Sequence, residues 1–311
     1  MQRVKKFFPY LTAIFVVIVM ACFLAFPARY PRLVLEGATL FAVCVLPSTL
    51  PFLFLTAILT RQPAFQRAAH RVAPLAKRLF RVSGSGALCA VLSALSGYPV
   101  GARTVFDLSS RGSLSKEEGF RLACLCSTSG PMFLVGAVGA GMFENAALGW
   151  ILFISHLLGV YLVCFLLRFR AKPEKAQEAV VLAEPGNSDP LMGSVLSVLA
   201  VGGAIAIFYA FSGILRDALT LTGLDNKYIF AIVTGLVEMT SGCKLLSEIG
   251  GIYAAALSAF LVTCGGGCVL LQQLSYLTRA GVKALPFLLV KFLQGVLAAA
   301  IALGLSALLL L

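Results

Sequence analysis

Long apolar stretches dominate the chain, without the strict alternation of a half-buried strand or the one-sided stripe of a soluble helix. Five of them, residues 7–26, 36–59, 148–167, 191–215 and 286–311, read as continuous apolar runs. Each is long enough for an α-helix, at about 1.5 Å per residue, to cross the roughly 30 Å hydrocarbon core of a bilayer. Four more, residues 84–111, 116–143, 228–249 and 251–277, are as apolar but are interrupted near their middles by Gly, Pro or Ser. Two segments are polar enough to sit in water. Residues 61–81 carry Arg61, Arg67, Arg71, Lys77, Arg78 and Arg81, and residues 168–190 carry Arg168, Arg170, Lys172, Lys175 and a Pro-Gly-Asn-Ser linker. The pattern predicts an all-α polytopic membrane protein.

Composition agrees. Hydrophobic residues make up 59% of the chain and charged ones 12%, against about 25% charged in a soluble globular protein. The net charge of +12 would suggest nucleic acid as the partner of a soluble chain. Here the basic residues fall between apolar runs, where they set membrane topology, and no RNA-binding motif or base-reading basic helix occurs, so no nucleic-acid partner is expected. The nine cysteines lie inside apolar segments, the closest sets being Cys124/Cys126 and Cys264/Cys268, and both histidines, His70 and His156, are far from them in sequence. They read as small buried hydrophobes rather than as disulfides or a metal site. At the N-terminus Arg3, Lys5 and Lys6 precede an apolar run longer than a signal-peptide core, so a retained first span is expected. The chain has no Walker motif for ATP-driven transport.

Keeping positive charge in the cytoplasm places residues 1–6, 61–81, 168–175 and Arg279/Lys283 inside, with Arg29 and Arg32 outside as the contrary observation. The expected location is the cell (plasma) membrane, with a cytoplasmic N-terminus. Parity then constrains the broken segments. Between the basic loop at Arg81 and the span starting at Leu148, two full crossings would return the chain to the wrong side. One broken segment is therefore re-entrant, or both share one crossing. The same count applies between Leu215 and Arg279. Each half makes an odd number of crossings, which inverts the second half relative to the first. The expected organisation is an N-terminal membrane helix (1–34), a first repeat (35–168), a cytoplasmic linker (169–190) and a second, inverted repeat (191–311). Motif order supports the duplication: Leu108-Ser109-Ser110-Arg111-Gly112 is echoed 138 positions later by Leu246-Ser247-Glu248-Ile249-Gly250.

The interruptions carry the candidate chemistry. They are Gly97-Tyr98-Pro99-Val100-Gly101, Ser129-Gly130-Pro131, Gly235-Leu236-Val237-Glu238 and Gly265-Gly266-Gly267. A helix broken at membrane depth needs protein or a water-filled cavity to satisfy its freed backbone groups, and paired breaks point to a central polar site. A single break can equally be a packing glycine or a proline kink. Glu238 is a carboxylate inside an apolar run, flanked by Thr240 and Ser241. Such a group suggests function by default, or else a structural ion pair with Arg103 or Lys244. Ser127, Thr128 and Ser129 can line a site or cap a helix. Gln272 and Gln273 can bond a ligand or another helix, and Tyr98 can stack on a ring or seal its turn. Ser129 with His156 would be the pair for an intramembrane hydrolase, but no Gly-x-Ser-x-Gly context surrounds that serine. No enzymatic activity is expected.

Taken in this order, these motifs resemble the YlbJ-like sporulation integral membrane proteins, within the wider nucleoside-recognition (Gate) domain family. The resemblance covers roughly residues 35–311. It implies a transporter-like fold of two inverted repeats with broken or re-entrant helices and a site near the membrane midplane. Arg103 fits the basic residue that follows Gly-Tyr-Pro-x-Gly-Ala in that pattern, and Gln272 fits its Gln, while Leu270 and Cys268 replace an expected His and Ser. The resulting expectation is a transporter or permease for a small polar solute, linked to sporulation, with a non-transporting scaffold of spore cortex or envelope assembly as the alternative. The candidate site comprises Gly97, Tyr98, Pro99, Gly101, Arg103, Ser127, Thr128, Ser129, Gly130, Glu238, Thr240, Ser241, Gly265, Gly266 and Gln272. No resident cofactor is expected; Na⁺ or H⁺ is the expected coupling ion, since Glu238 can take either. The expected partners are the lipid bilayer and the solute, with self-association into a homo-oligomer left open.

Overall fold

Glycines, prolines and short polar runs divide the apolar sequence into intervals, and in the computed structural model each interval is a helix. The structure describes residues 2–170, 189–223 and 226–309. The helices are α1 (Gln2–Ala25), α2 (Tyr30–Leu40), α3 (Leu46–Leu59), α4 (Pro63–Phe80), α5 (Gly84–Ser96), α6 (Val100–Ser110), α7 (Lys116–Leu125), α8 (Ala146–Leu167), α9 (Pro190–Thr220), α10 (Lys227–Val237), α11 (Met239–Ile249), α12 (Gly251–Cys264), α13 (Gly266–Leu277) and α14 (Ala284–Leu309). A π-helical turn, Phe41–Val45, fuses α2 to α3, and a longer π-helix, Met132–Met142, lies between α7 and α8.

Among the described residues five stretches are long and apolar enough to cross a membrane: Tyr30–Leu59, Ala146–Leu167, Pro190–Thr220, Gly251–Leu277 and Ala284–Leu309. The expected first span is α1, within which Ala13–Ala25 is an apolar stretch shorter than these five. The long helices are built inside out. On α8, Trp150, Ile154, Leu158, Leu162 and Leu166 are exposed while Ser155 and His156 are buried. On α14, Leu285, Leu289, Phe292, Leu293 and Val296 are exposed while Lys291, Gln294 and Ser306 are buried. Apolar residues outside and polar ones inside suit a lipid solvent and no other.

Equivalent long helices run antiparallel. Along the α2–α3/α9 seam, a Cβ on Gly37 would meet Tyr209 and Ala206, one on Gly202 would meet Phe41, and one on Gly213 would meet Leu33. Contacts therefore move backwards along α9 as they move forwards along α2. Across the α8/α14 seam Gly159 abuts Ala298, and Cys164 meets Gln294. Glycine at these points lets backbones approach closely, as membrane helices require. At one end of the bundle Arg29 pairs with Asp217, tying the start of α2 to the end of α9. Arg32 pairs with Glu36 at 3.5 Å.

Between the long helices lie the interrupted ones. The α5–α6 unit folds back on itself: a Cβ on Gly101 would reach within 2.3 Å of the Ser93 hydroxyl. The α10–α11 unit does the same, with a Cβ on Gly242 falling 2.3 Å from the Cα of Gly235. By contrast, α12 and α13 form one continuous stretch with two positive-φ glycines, Gly265 (φ +98) and Gly266 (φ +49), at their junction. Of the two broken segments here, residues 228–249 fold back on themselves and residues 251–277 are long and apolar enough to cross a membrane.

One expectation is corrected. Residues 61–81 are not an open aqueous loop: positions 63–80 form helix α4. Phe65, Ala73, Ala76 and Phe80 fall on one face, as i, i+4 spacing requires, and Arg67, Arg71, Lys77 and Arg78 are exposed on the other. Counting charges obscured this period. Arg81 closes α4 in the left-handed conformation (φ 52), Ser83 caps α5 by accepting from Gly86 N at 3.1 Å, and the pair is bent by 96°. Of the expected linker 169–190, residues 171–188 lie outside the described residues.

Candidate functional site

The four interruptions converge. Gly97 (φ +75) packs so closely on the second break that a Cβ there would lie 2.4 Å from the Gly130 nitrogen. Gly266 packs on the third break, where a Cβ would lie 2.9 Å from Gly235 O and 3.0 Å from Met239 N. Within each half, then, one break is seated on the other through glycine. Across the halves, the Tyr98 hydroxyl donates to Val262 O at 3.1 Å. The Tyr98–Pro99 peptide is cis.

Three of them meet at a cavity with about 70 Å³ open to water centres, lined by Gly97, Tyr98, Pro99, Ser129, Gly130 and Glu238 from the breaks, by Thr240 and Gln272 from the helices that follow the third and fourth, and by Thr49, Phe52, Ser197 and Val201 from α3 and α9. At about 10–15 Å³ per water, this is room for a handful of waters. A second, wider cavity of about 740 Å³ opens at the Arg29–Asp217 end and is lined by Arg32, Glu36, Arg216, Ser241, Lys244 and Glu248 among others. The first cavity reaches towards the opposite ends of α3 and α9. Glu238 lines one and Ser241 the other, and the two side chains are hydrogen-bonded, Ser241 Oγ donating to Glu238 Oε2 at 2.7 Å.

Glu238 is fully inside the protein, 1% exposed. Its backbone is extended (φ −141, ψ 110), which ends α10 and makes it the N-cap of α11. Oε1 accepts from Thr240 N at 2.9 Å and Oε2 from Ser241 N at 2.6 Å. A carboxylate here neutralises the positive end of α11 and pairs two orphan amides. Two oxygens offer about four acceptor positions, and these three bonds take three of them. Neither expected basic partner reaches it: Lys244 pairs with Glu248 at 3.4 Å, and Arg103 is exposed on α6 and lines neither cavity.

The remaining candidates support the site from behind. Gly101 lets α6 approach Cys126 O and Ser93. Thr128 Oγ1 lies 3.0 Å from Ser93 Oγ. Ser127 and Thr128 are buried, each 1% exposed, and do not line the cavity. Gly265 and Gly266 shape their break without lining the cavity. Gln272 faces it, donating weakly to Cys268 Sγ at 3.6 Å.

Three residues outside the expected set hold the centre together. His156, fully buried, accepts from Ser129 N at 2.9 Å through Nε2 and bonds Thr263 Oγ1 at 2.9 Å through Nδ1. Its ring is thus engaged by the Ser129 backbone. Lys291 Nζ donates to Ser127 O at 2.8 Å and approaches the Tyr98 hydroxyl at 3.4 Å. Gln294 Nε2 donates to Cys124 O at 3.1 Å. Lys291 and Gln294 interrupt a run that reads as apolar overall, and a lysine in mid-span was the signal that could have found them. Among the described residues no group of His, Cys, Asp or Glu could hold a metal ion, and the described cysteines are free.

An inside-out helix bundle with buried carboxylate, amine and imidazole groups and, among the described residues, five or six candidate apolar spans defines a multi-pass integral membrane protein. Comparison adds a relative. The chain is 29% identical over 302 residues to the sporulation integral membrane protein YlbJ of Bacillus subtilis (strain 168), an alignment spanning 85% of this chain and 74% of that protein. No family model matches the chain, and no solved structure matches it.

Proposed function

We propose that this protein is a permease for a small polar solute, working in sporulation as its relative's name indicates, with Glu238 as the solute-facing group. The observation that carries the reading is the pair of cavities, one at the Arg29–Asp217 end and one deeper among α3, α9 and the breaks, which meet at the Glu238–Ser241 hydrogen bond at the first turn of α11. A thin polar septum between two water-accessible spaces is what alternating access needs. The antiparallel run of α2–α3 against α9 and of α8 against α14 is what inverted repeats require, and it supports that organisation, with α5–α6 and α10–α11 as the re-entrant hairpins. The cytoplasmic N-terminus and Na⁺ or H⁺ coupling belong to the same proposal. No basic side chain lines the inner cavity. Its one charged group is a carboxylate, so the favoured solute is cationic or rich in hydrogen-bond donors, and anions are disfavoured.

The test is solute binding to the detergent-purified protein. A panel of nucleosides, amines, dicarboxylates and divalent metals is screened by thermal stabilisation, since a ligand that binds the native state must raise the midpoint by mass action. Stabilisation by a neutral or cationic solute that Glu238→Gln loses, relative to its own baseline, supports the reading. No response to any solute from a cooperatively melting protein sinks it and favours the second reading, a non-transporting scaffold of spore envelope assembly. The observation on that side is the density of cross-half hydrogen bonds at Tyr98, His156 and Lys291.

A further inference from the structure

Helix α7 ends inside the bundle at Cys126, and the chain does not resume a helix until position 131. Its last carbonyls point into a region without bulk water, at the negative end of the helix dipole. Side chains from other helices meet three of them. Gln294 donates to Cys124 O at 3.1 Å, Ser93 donates to Cys126 O, and Lys291 donates to Ser127 O at 2.8 Å.

The surroundings of Lys291 Nζ fix its chemical role. The Tyr98 hydroxyl lies 3.4 Å away, and its own proton is committed to Val262 O at 3.1 Å. Towards Lys291 it is therefore an acceptor. His156 Nε2 accepts from Ser129 N and so carries no proton there. Every group named around Nζ is electron-rich, and Nζ meets them as a hydrogen-bond donor. No carboxylate pairs with this nitrogen among the described residues: of the buried carboxylates, Glu118 accepts from Ser83 N at the start of α7 and Glu238 caps a different helix. A carbonyl and a hydroxyl oxygen at the end of a broken helix are groups a membrane protein uses to hold a monovalent cation.

We propose that Lys291 is a tethered cation. Its ammonium fills a monovalent-cation site built at the α7 break, and the protein accordingly needs no free Na⁺ at that position. The inference concerns the standing charge of the fold and does not rest on the transport reading. Of the coupling ions open to the proposed function, it removes Na⁺ at this break and leaves H⁺ or an ion held elsewhere.

The experiment uses the full chain purified in detergent. Melting is followed in sodium, potassium, choline and propylammonium chlorides at one ionic strength. The native protein is expected to give the same midpoint in all four. Lys291→Ala is expected to melt lower in choline and to recover, in a saturable way, with sodium or propylammonium. Lys291→Met, which keeps most of the volume and loses the charge, is expected to melt lower in every salt and to recover in none. A native protein that needs sodium, a Lys291→Ala protein that melts cooperatively with no cation response, or a Lys291→Met protein as stable as native would each overturn the proposal. If Lys291→Ala does not fold in choline, it is purified directly in propylammonium. Recovery of a monodisperse protein only there supports the proposal, and failure there while Lys291→Met folds with native stability overturns it. Because no solute enters the measurement, its outcome is independent of whether Glu238 binds one.

Discussion

Replacing Glu238 by Gln is the usual neutral test of a membrane carboxylate, and here the geometry predicts that it is not silent. The carboxylate accepts three hydrogen bonds, from Thr240 N at 2.9 Å, Ser241 N at 2.6 Å and Ser241 Oγ at 2.7 Å. The amide of Gln offers one oxygen. If that oxygen keeps both Ser241 donors, the NH₂ group faces the Thr240 N–H, donor against donor. One buried amide loses its partner, and the other two bonds lose their charge assistance. A lost bond to a charged acceptor is worth about 1.5–3 kcal/mol, and removing the desolvated charge offsets part of it, for a net loss of about 2 kcal/mol. Scaled from soluble domains of 150–250 residues, that is a fall of roughly 4–8 °C in midpoint. Glu238→Ala abandons all three bonds and is expected to fall further. The assay is melting in detergent without solute, in the order native, Gln, Ala. A Gln variant as stable as native, or less stable than Ala, would refute the assignment of this side chain as the cap of α11. The result also sets the baseline against which any solute effect must be read.

Other outcomes follow from the same contacts. Gly97→Ala should fail to give a monodisperse protein by size-exclusion chromatography, because its backbone has φ +75 and the new Cβ falls 2.4 Å from Gly130 N. His156→Ala strands the Ser129 amide and the Thr263 hydroxyl in the core, and melting should report a loss of about 2–6 kcal/mol at one to three per buried orphan. A membrane-impermeant thiol reagent should label Cys44, which lines the wide cavity, and spare Cys89, Cys124, Cys126 and Cys243 in mass spectra of the intact protein. Asp217→Asn should move the midpoint little, since Arg29 is 60% exposed and surface pairs contribute about 0–1 kcal/mol.

The apolar runs and their interruptions were legible because membrane helices announce themselves by length and breaks by Gly and Pro. Glu238 was legible for the same reason as any charge in a span. Parity left two arrangements of the broken segments, and only contact between Gly235 and Gly242 separates a hairpin from a crossing. Helix α4 was not legible because the six basic residues of positions 61–81 masked its period of 3.6. Arg103 was expected in the site from its place in a motif, yet one turn beyond the break its side chain faces outward. His156, Lys291 and Gln294 act on breaks far away in sequence, and a pairing at separations of 107 to 170 positions leaves no local trace.

The two halves share an order of elements but differ in how their breaks are closed, and the difference says which part can move. In the first half, the carbonyls after α7 are met by Lys291 and Gln294 from α14, Tyr98 bonds Val262, and His156 ties Ser129 to Thr263. Shifting that break requires releasing bonds to the other half in a medium that cannot replace them. In the second half, the break is closed by its own residues: Glu238 caps α11 with Thr240 and Ser241, and Gly266 rests on Gly235 and Met239. The α10–α11 hairpin can therefore tilt as a unit with its polar groups still satisfied. Glu238 and Ser241, the septum between the two cavities, travel with it. Spin labels on α10 and α11 should accordingly change their distance to α8 when a solute binds, while labels on α5 and α6 stay fixed. Equal movement of both hairpins would mean that the cross-half bonds at Lys291 are not the constraint they are taken to be here.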